Sequence, residues 1–124
     1  MIDVDRIKRV VYIELGELAK TAGYNDPCTY YYDTQEKQLL KSDNSEDWNS
    51  THRYVSVPDL LDLVEWLSEH GIYVYARHYV DENDGNTYFM SEVFGKYYTN
   101  DRDFGTYLQA LYHGVEKALK ENFD

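Results

Sequence analysis

The sequence predicts an α+β fold of the broad α/β class: a mainly antiparallel four-stranded sheet with three helices, in the order αββαββα. Three observations carry this expectation. Apolar residues recur at helical spacing in three separate stretches, an aromatic run alternates strictly from one residue to the next, and clusters of Asp, Asn and Gly break the chain between short apolar runs. Hairpin connections favour antiparallel pairing, and helices on both faces of one sheet would give an α/β/α sandwich, with a two-layer arrangement as the alternative. At 124 residues the chain has the length of one domain, and no linker or repeat divides it, so residues 1–124 are read as a single domain.

The first helix is expected over residues 3–22, where Val4, Ile7, Val11, Leu15, Leu18 and Ala22 share one face. Asp3 or Asp5 suits its start, and Gly23 stands where a left-handed C-terminal residue is wanted. Asn25-Asp26-Pro27 turns the chain out of helix. Residues 28–32 and 38–42, separated by a polar loop, read as a hairpin, since three consecutive tyrosines favour strand. Residues 43–53 read as a loop carrying Trp48.

Residues 56–70 carry the clearest helical pattern. Ser56 with Asp59 resembles a capping box, Pro58 suits a first turn and Gly71 follows the last. Leu60, Leu63, Val64 and Leu67 make the apolar stripe, and Asp62, Glu65 and Glu69 the wet face. Residues 72–80 then alternate, with Ile72, Val74 and Ala76 on one side and Tyr73, Tyr75, Arg77 and Tyr79 on the other. The turn residues 81–86, including Asp84-Gly85, lead into a return strand over 87–96. Phe104, Leu108, Leu111, Val115, Ala118 and Leu119 form the last helical stripe, with Asp101 and Asp103 as candidate caps.

Composition excludes several functions. A formal net charge of −11, from 23 acidic and 12 basic side chains, repels phosphates and anionic lipid, so direct nucleic-acid binding and membrane association are not expected. Cys28 is the only cysteine, which rules out an intrachain disulfide and fits a reducing cytoplasm. No signal-peptide core or membrane-spanning run is present, and Asn49-Ser50-Thr51 is read as a chance glycosylation sequon.

Chemistry-bearing motifs are sparse. His52, His70, His78 and His113 show no metal-ligand spacing. The acidic run 81–86 lacks the glycine position of a calcium loop and reads as a turn, and Cys28 reads as a small buried hydrophobe. No phosphate loop or nucleophile elbow occurs, so no cofactor is expected. The constellation of interest is the tyrosine side of the second hairpin, Tyr73, Tyr75 and Tyr79 with Tyr88 on the partner strand and Arg77 among them. Aromatic rings on an open sheet receive protein partners, unless a helix covers them.

The segment Gly23-Tyr24-Asn25-Asp26-Pro27-Cys28, followed by Ser56-Val57-Pro58 and then by Val64-Glu65-Trp66-Leu67-Ser68-Glu69-His70-Gly71-Ile72-Tyr73-Val74, resembles a group of small phage and prophage proteins of gut-type bacteria. Those proteins commonly read G-[FY]-[DN]-E-P-C, then [AS]-P-T, then W-[FL]-R-E-K-[HY]-G-I. Here Asp26 stands for the usual Glu, and Val57-Pro58-Asp59 departs from the usual cap. Residues 107–119 are similar to the closing helix of that group. The likeness covers most of the chain, rests on turn and packing residues, and implies mobile-element origin and a small phage α/β/α sandwich domain; it carries over no catalytic residue.

Together these readings favour a non-enzymatic accessory protein of the bacterial host cytoplasm. It would bind another protein, a basic one by charge, with inhibition of host defence by imitation of nucleic acid as the specific form. The rivals are a small enzyme whose site the fold assembles from Tyr, His and carboxylates, and a self-associating module that dimerises through its tyrosines.

Overall fold

The computed structural model describes the backbone of residues 4–123 and the side chains of residues 13–123. The expected cap at Asp3, and the side chains of Asp5, Val4, Ile7 and Val11 on the first stripe, lie outside the described residues. Three helices and two three-stranded antiparallel sheets are formed, so the α+β class holds. The chain divides into two compact units, Met1–Asp62 and Leu63–Asp124.

The first unit holds α1 (Val4–Ala22), β1 (Cys28–Asp33), β2 (Gln38–Glu46), a 3-10 turn (Trp48–Ser50) and β3 (Tyr54–Ser56). Its sheet has the order β2-β1-β3. Leu15 and Ala19 of α1 are fully buried, and Gly16 lets the helix approach β3 so closely that a Cβ there would lie 2.6 Å from the Ser56 carbonyl oxygen. Lys20 Nζ donates to the carbonyls of Thr51 and Tyr54, at 2.5 and 2.7 Å, tying the helix to the chain before β3. Asn49 acts as a staple: its Oδ1 accepts from Ser56 N and its Nδ2 donates to the Tyr24 carbonyl, each at 2.8 Å. The ring of Trp48 stacks on Tyr31 at 3.9 Å, with Tyr54 edge-on to both.

The second unit holds most of α2 (Leu60–Glu69), then β4 (Tyr73–Val80), β5 (Thr87–Phe94), β6 (Tyr98–Phe104) and α3 (Tyr107–Glu121). Its sheet has the order β4-β5-β6. The β4–β5 register runs unbroken from Tyr73↔Phe94 to Val80↔Thr87. Their turn is closed by Gly85 at φ +72°, whose N–H, like the N–H of Asp81, bonds across the hairpin. Val74, Ser91 and Val93 are buried on the face that meets α3. Ala110, Leu111, Val115, Ala118 and Leu119 form the buried side of that helix.

Several expectations need correction. One four-stranded sheet is not formed, because each hairpin finds its third strand locally: β3 pairs with β1, and β6 pairs with β5. The sandwich and its two-layer variant both presupposed that single sheet. The first part of the segment read as a loop over 43–53 instead continues β2 to Glu46, a polar and exposed stretch that bulges after Lys41 and rejoins β1 where Glu46 pairs with Cys28. Ser56 is not a helix cap but a β3 residue whose hydroxyl accepts from Trp48 N at 3.1 Å; Asp59 alone serves, accepting from Leu61 N. Asp101 and Asp103 do not cap α3 either, since both lie in β6, and Thr106 takes that role by accepting from Gln109 N.

Candidate binding face

The alternation along β4 decides what the second sheet shows to solvent. Even-numbered residues from Val74 point at α3, so Tyr73, Tyr75, Arg77 and Tyr79 stand on the opposite face. Among the described residues, α3 is the helix seated on this sheet, and it lies on the other face, over Val74. Tyr73 and Tyr75 are 47% and 54% exposed, and among the described residues their hydroxyls have no hydrogen-bond partner. The register extends the face onto β5 and β6, where Phe94 pairs with both Tyr73 and Tyr98. Tyr75 meets Phe94 edge-on at 5.8 Å, and Phe94 meets Tyr98 at 4.9 Å. Phe94 and Tyr98 are 43% and 57% exposed.

The far end of the face is polar and held in place. Tyr79 and Tyr88, opposite each other, are half-buried with rings 6.1 Å apart. Tyr79 Oη donates to Asp103 Oδ1 and accepts from Asp103 N, a reciprocal clasp on a residue at φ +74°. Tyr88 Oη donates to Asp84 Oδ2 at 2.5 Å. These hydrogen bonds make both phenols weaker acids and Asp84 a stronger one, so each tyrosine is a fixed donor to a carboxylate. Arg77 bonds Glu92 at 2.6 Å in the middle of the face, and the Arg102 guanidinium lies 5.5 Å from the Tyr79 ring centroid. A shallow concavity of about 410 Å3 opens here over buried Met90, between Arg77, Tyr79 and Arg102.

All five residues singled out from sequence therefore share one face, but they divide into two functions. Tyr73 and Tyr75 are open rings, whereas Tyr79, Tyr88 and Arg77 are engaged with carboxylates. Phe94, Tyr98 and Arg102 were missed. Phe94 was detectable as the outward residue of the return strand, but Tyr98 and Arg102 required β6, whose Thr-Asn-Asp-Arg-Asp interior has the composition of a turn.

The other candidates are used locally. His70 Nδ1 lies 2.9 Å from the Trp66 carbonyl oxygen at the end of α2, and His113 Nε2 lies 3.0 Å from Asp101 Oδ2. That carboxylate also takes Lys117 Nζ at 2.9 Å, which holds Asp101 below the ordinary carboxylate range. His52 and His78 are exposed, as are Asp62, Glu65 and Glu69. In the 81–86 turn, Asp81 Oδ1 accepts the N–H groups of Asn83 and Asp84, so its oxygen serves the turn. Among the described residues no group of three or more His, Cys, Asp or Glu is placed to hold a metal. Cys28 is buried beside Tyr24, Sγ to Oη 3.9 Å, and burial pushes its thiol up to about 11. It is the wrong ionisation state for a nucleophile at neutral pH. No helix among the described residues is long and apolar enough to cross a membrane. The chain matches no protein-family model, no curated protein and no solved structure.

Proposed function

We propose that this chain is a phage or prophage accessory protein that works in the bacterial host cytoplasm by binding another protein, with the open aromatic face of the second sheet as its contact surface. The observation that carries the reading is the row Tyr73, Tyr75, Phe94 and Tyr98, adjacent rings all between 43% and 57% exposed on the side of the sheet away from α3. Clustered, rigid aromatic side chains supply large contact area at low entropic cost and dominate interface energetics where they are found. The net charge of −11 favours a basic partner and speeds encounter with it. A host defence protein with a cationic nucleic-acid-binding surface has that character. Mobile-element origin rests on the resemblance of the Gly23–Cys28 and Trp66–Ile72 segments.

The test compares capture from a bacterial lysate by the native chain and by a Tyr75→Ser/Phe94→Ser double variant, with Leu39→Ser on the first sheet as a control. Loss of one captured protein with the double variant alone, together with its release from the native chain by raised salt, supports the reading. Equal capture by all three overturns the assignment of this face. A light-scattering mass of two chains that falls to one in the double variant makes the face a self-association surface instead.

A further inference from the structure

Resting on that reading, the open edge of the same sheet specifies how a partner is held. β4 and β6 are the two edges of the β4-β5-β6 sheet, and they are not equivalent. β6 is blunted: its register with β5 shifts between Phe89 and Ser91, Asp103 takes a positive φ, and Asp101, Arg102 and Asp103 are charged. Those are the usual devices by which natural sheets discourage a further strand. β4 has neither the register shift nor the positive φ, and its one charged side chain, Arg77, is paired with Glu92. It runs Tyr73–Val80 without proline, lysine or bulge, in full register with β5.

Its backbone polarity follows from the turn. The N–H of Asp81 bonds the Asn86 carbonyl at 2.9 Å, and bonded and non-bonded pairs alternate along an antiparallel ladder. With Tyr79↔Tyr88, Arg77↔Met90 and Tyr75↔Glu92 in register, the odd-numbered residues are the ones that bond β5. Val74, Ala76, His78 and Val80 therefore direct their N–H and C=O groups away from the sheet, and among the described residues no strand pairs with them.

We infer that β4 is a docking edge for an extended, basic segment of another protein, which adds to the second sheet as a fourth strand. Pairing along β4 places alternate side chains of the incoming strand beside Tyr73, Tyr75 and Tyr79, where a lysine or arginine meets ring faces. The intervening side chains fall on the side of Ala76 and Val80, the latter 60% exposed, where apolar residues fit. Charge selects the sign of the segment. Arg77 is already neutralised by Glu92, the turn at the end of β4 carries Asp81, Glu82 and Asp84, and the whole chain is at −11. A second copy of this chain would bring the same charge to the edge, so a cationic strand is the occupant the surface favours.

The test uses the full chain, a short alternating lysine–valine peptide, and an alternating glutamate–valine peptide of equal length. Backbone amide exchange read by NMR is expected to slow at Val74, Ala76, His78 and Val80 when the lysine peptide is added. The amides of Tyr75, Arg77 and Tyr79, which already bond β5, should change little. Ala76→Pro removes an outward N–H and obstructs the edge, and is expected to weaken the peptide about tenfold or more; preserved protection at Tyr75 and Arg77 shows that this variant is folded. Absence of binding, binding without new protection at the outward amides, or equal binding of the glutamate peptide overturns the inference. So does protection of those amides in a peptide-free dimer. If the outward amides stay silent while Tyr75→Ser/Phe94→Ser still loses its lysate partner, the edge fails and the face survives; slowed amides with an unaffected lysate partner give the converse.

Discussion

Gly114 of α3 lies directly over Val74 of β4: a Cβ at position 114 would stand 2.7 Å from Val74 Cγ1 and 3.4 Å from Ser91 Cβ. The missing side chain is what lets the helix seat on the sheet. Alanine would favour the helix by about 1 kcal/mol, but Val74 is β-branched, buried and stiff at χ1, so it cannot swing aside. Gly114→Ala is therefore expected to lower stability by about 1–3 kcal/mol through overpacking. Denaturant unfolding checks this, and the loss should shrink when Val74→Ala is added in the same chain.

Asp33 and Arg53 are joined by two parallel hydrogen bonds, Nε to Oδ1 at 3.1 Å and Nη2 to Oδ2 at 2.9 Å. Asp33 Oδ1 also accepts the backbone N–H groups of Gln35 and Glu36. The guanidinium holds Asp33 below the usual carboxylate range, and Lys117 does the same for Asp101. A folded-state value below the unfolded one means stability that is present above about pH 4 and lost as pH falls through the depressed values. Arg53→Ala should flatten the acid limb of a stability-against-pH curve measured by urea unfolding. An unchanged acid limb would count against this pair.

Cys28 provides a chemical readout of the first unit. Its thiol is buried and raised to about 11, mainly by burial, so thiolate is scarce at neutral pH. Iodoacetamide should react slowly with the native chain and at an ordinary thiol rate in denaturant. The raised value also implies stability that is full below the ordinary thiol range near pH 8.5 and declines as pH rises through the folded value.

Thr106, not Asp101 or Asp103, caps α3, with its side chain accepting from Gln109 N at 3.1 Å. Thr106→Ala should cost about 1 kcal/mol in thermal or denaturant unfolding. Thr106→Ser, which keeps the acceptor, should restore most of that loss.

The legible parts of the candidate site were those set by local period. Strict alternation from Ile72 to Tyr79 identified which side chains share a face, and Asp84-Gly85 placed the hairpin turn, because side-chain direction in a strand and positive φ at a glycine are properties of neighbouring residues. The helical stripes located three helices, although the second begins at Leu60 rather than Ser56. Where side chains were polar the reading failed. Glu46, opposite Cys28, and Thr99, Asn100 and Asp101, opposite β5, pair in strands despite turn-like composition, since a ladder of backbone hydrogen bonds does not need an apolar side chain.

By itself the sequence determined the helices, the two hairpins, the acidic charge and the common face of Tyr73, Tyr75, Arg77 and Tyr79, because each follows from spacing or composition. Tertiary structure decided that the hairpins enter separate sheets, that α3 takes the Val74 side, and that the Tyr75 side therefore lies open with Phe94 and Tyr98 beside it. Those outcomes depend on which distant residues meet, and a tyrosine on an alternating strand has the same local pattern whether a helix covers it or water does.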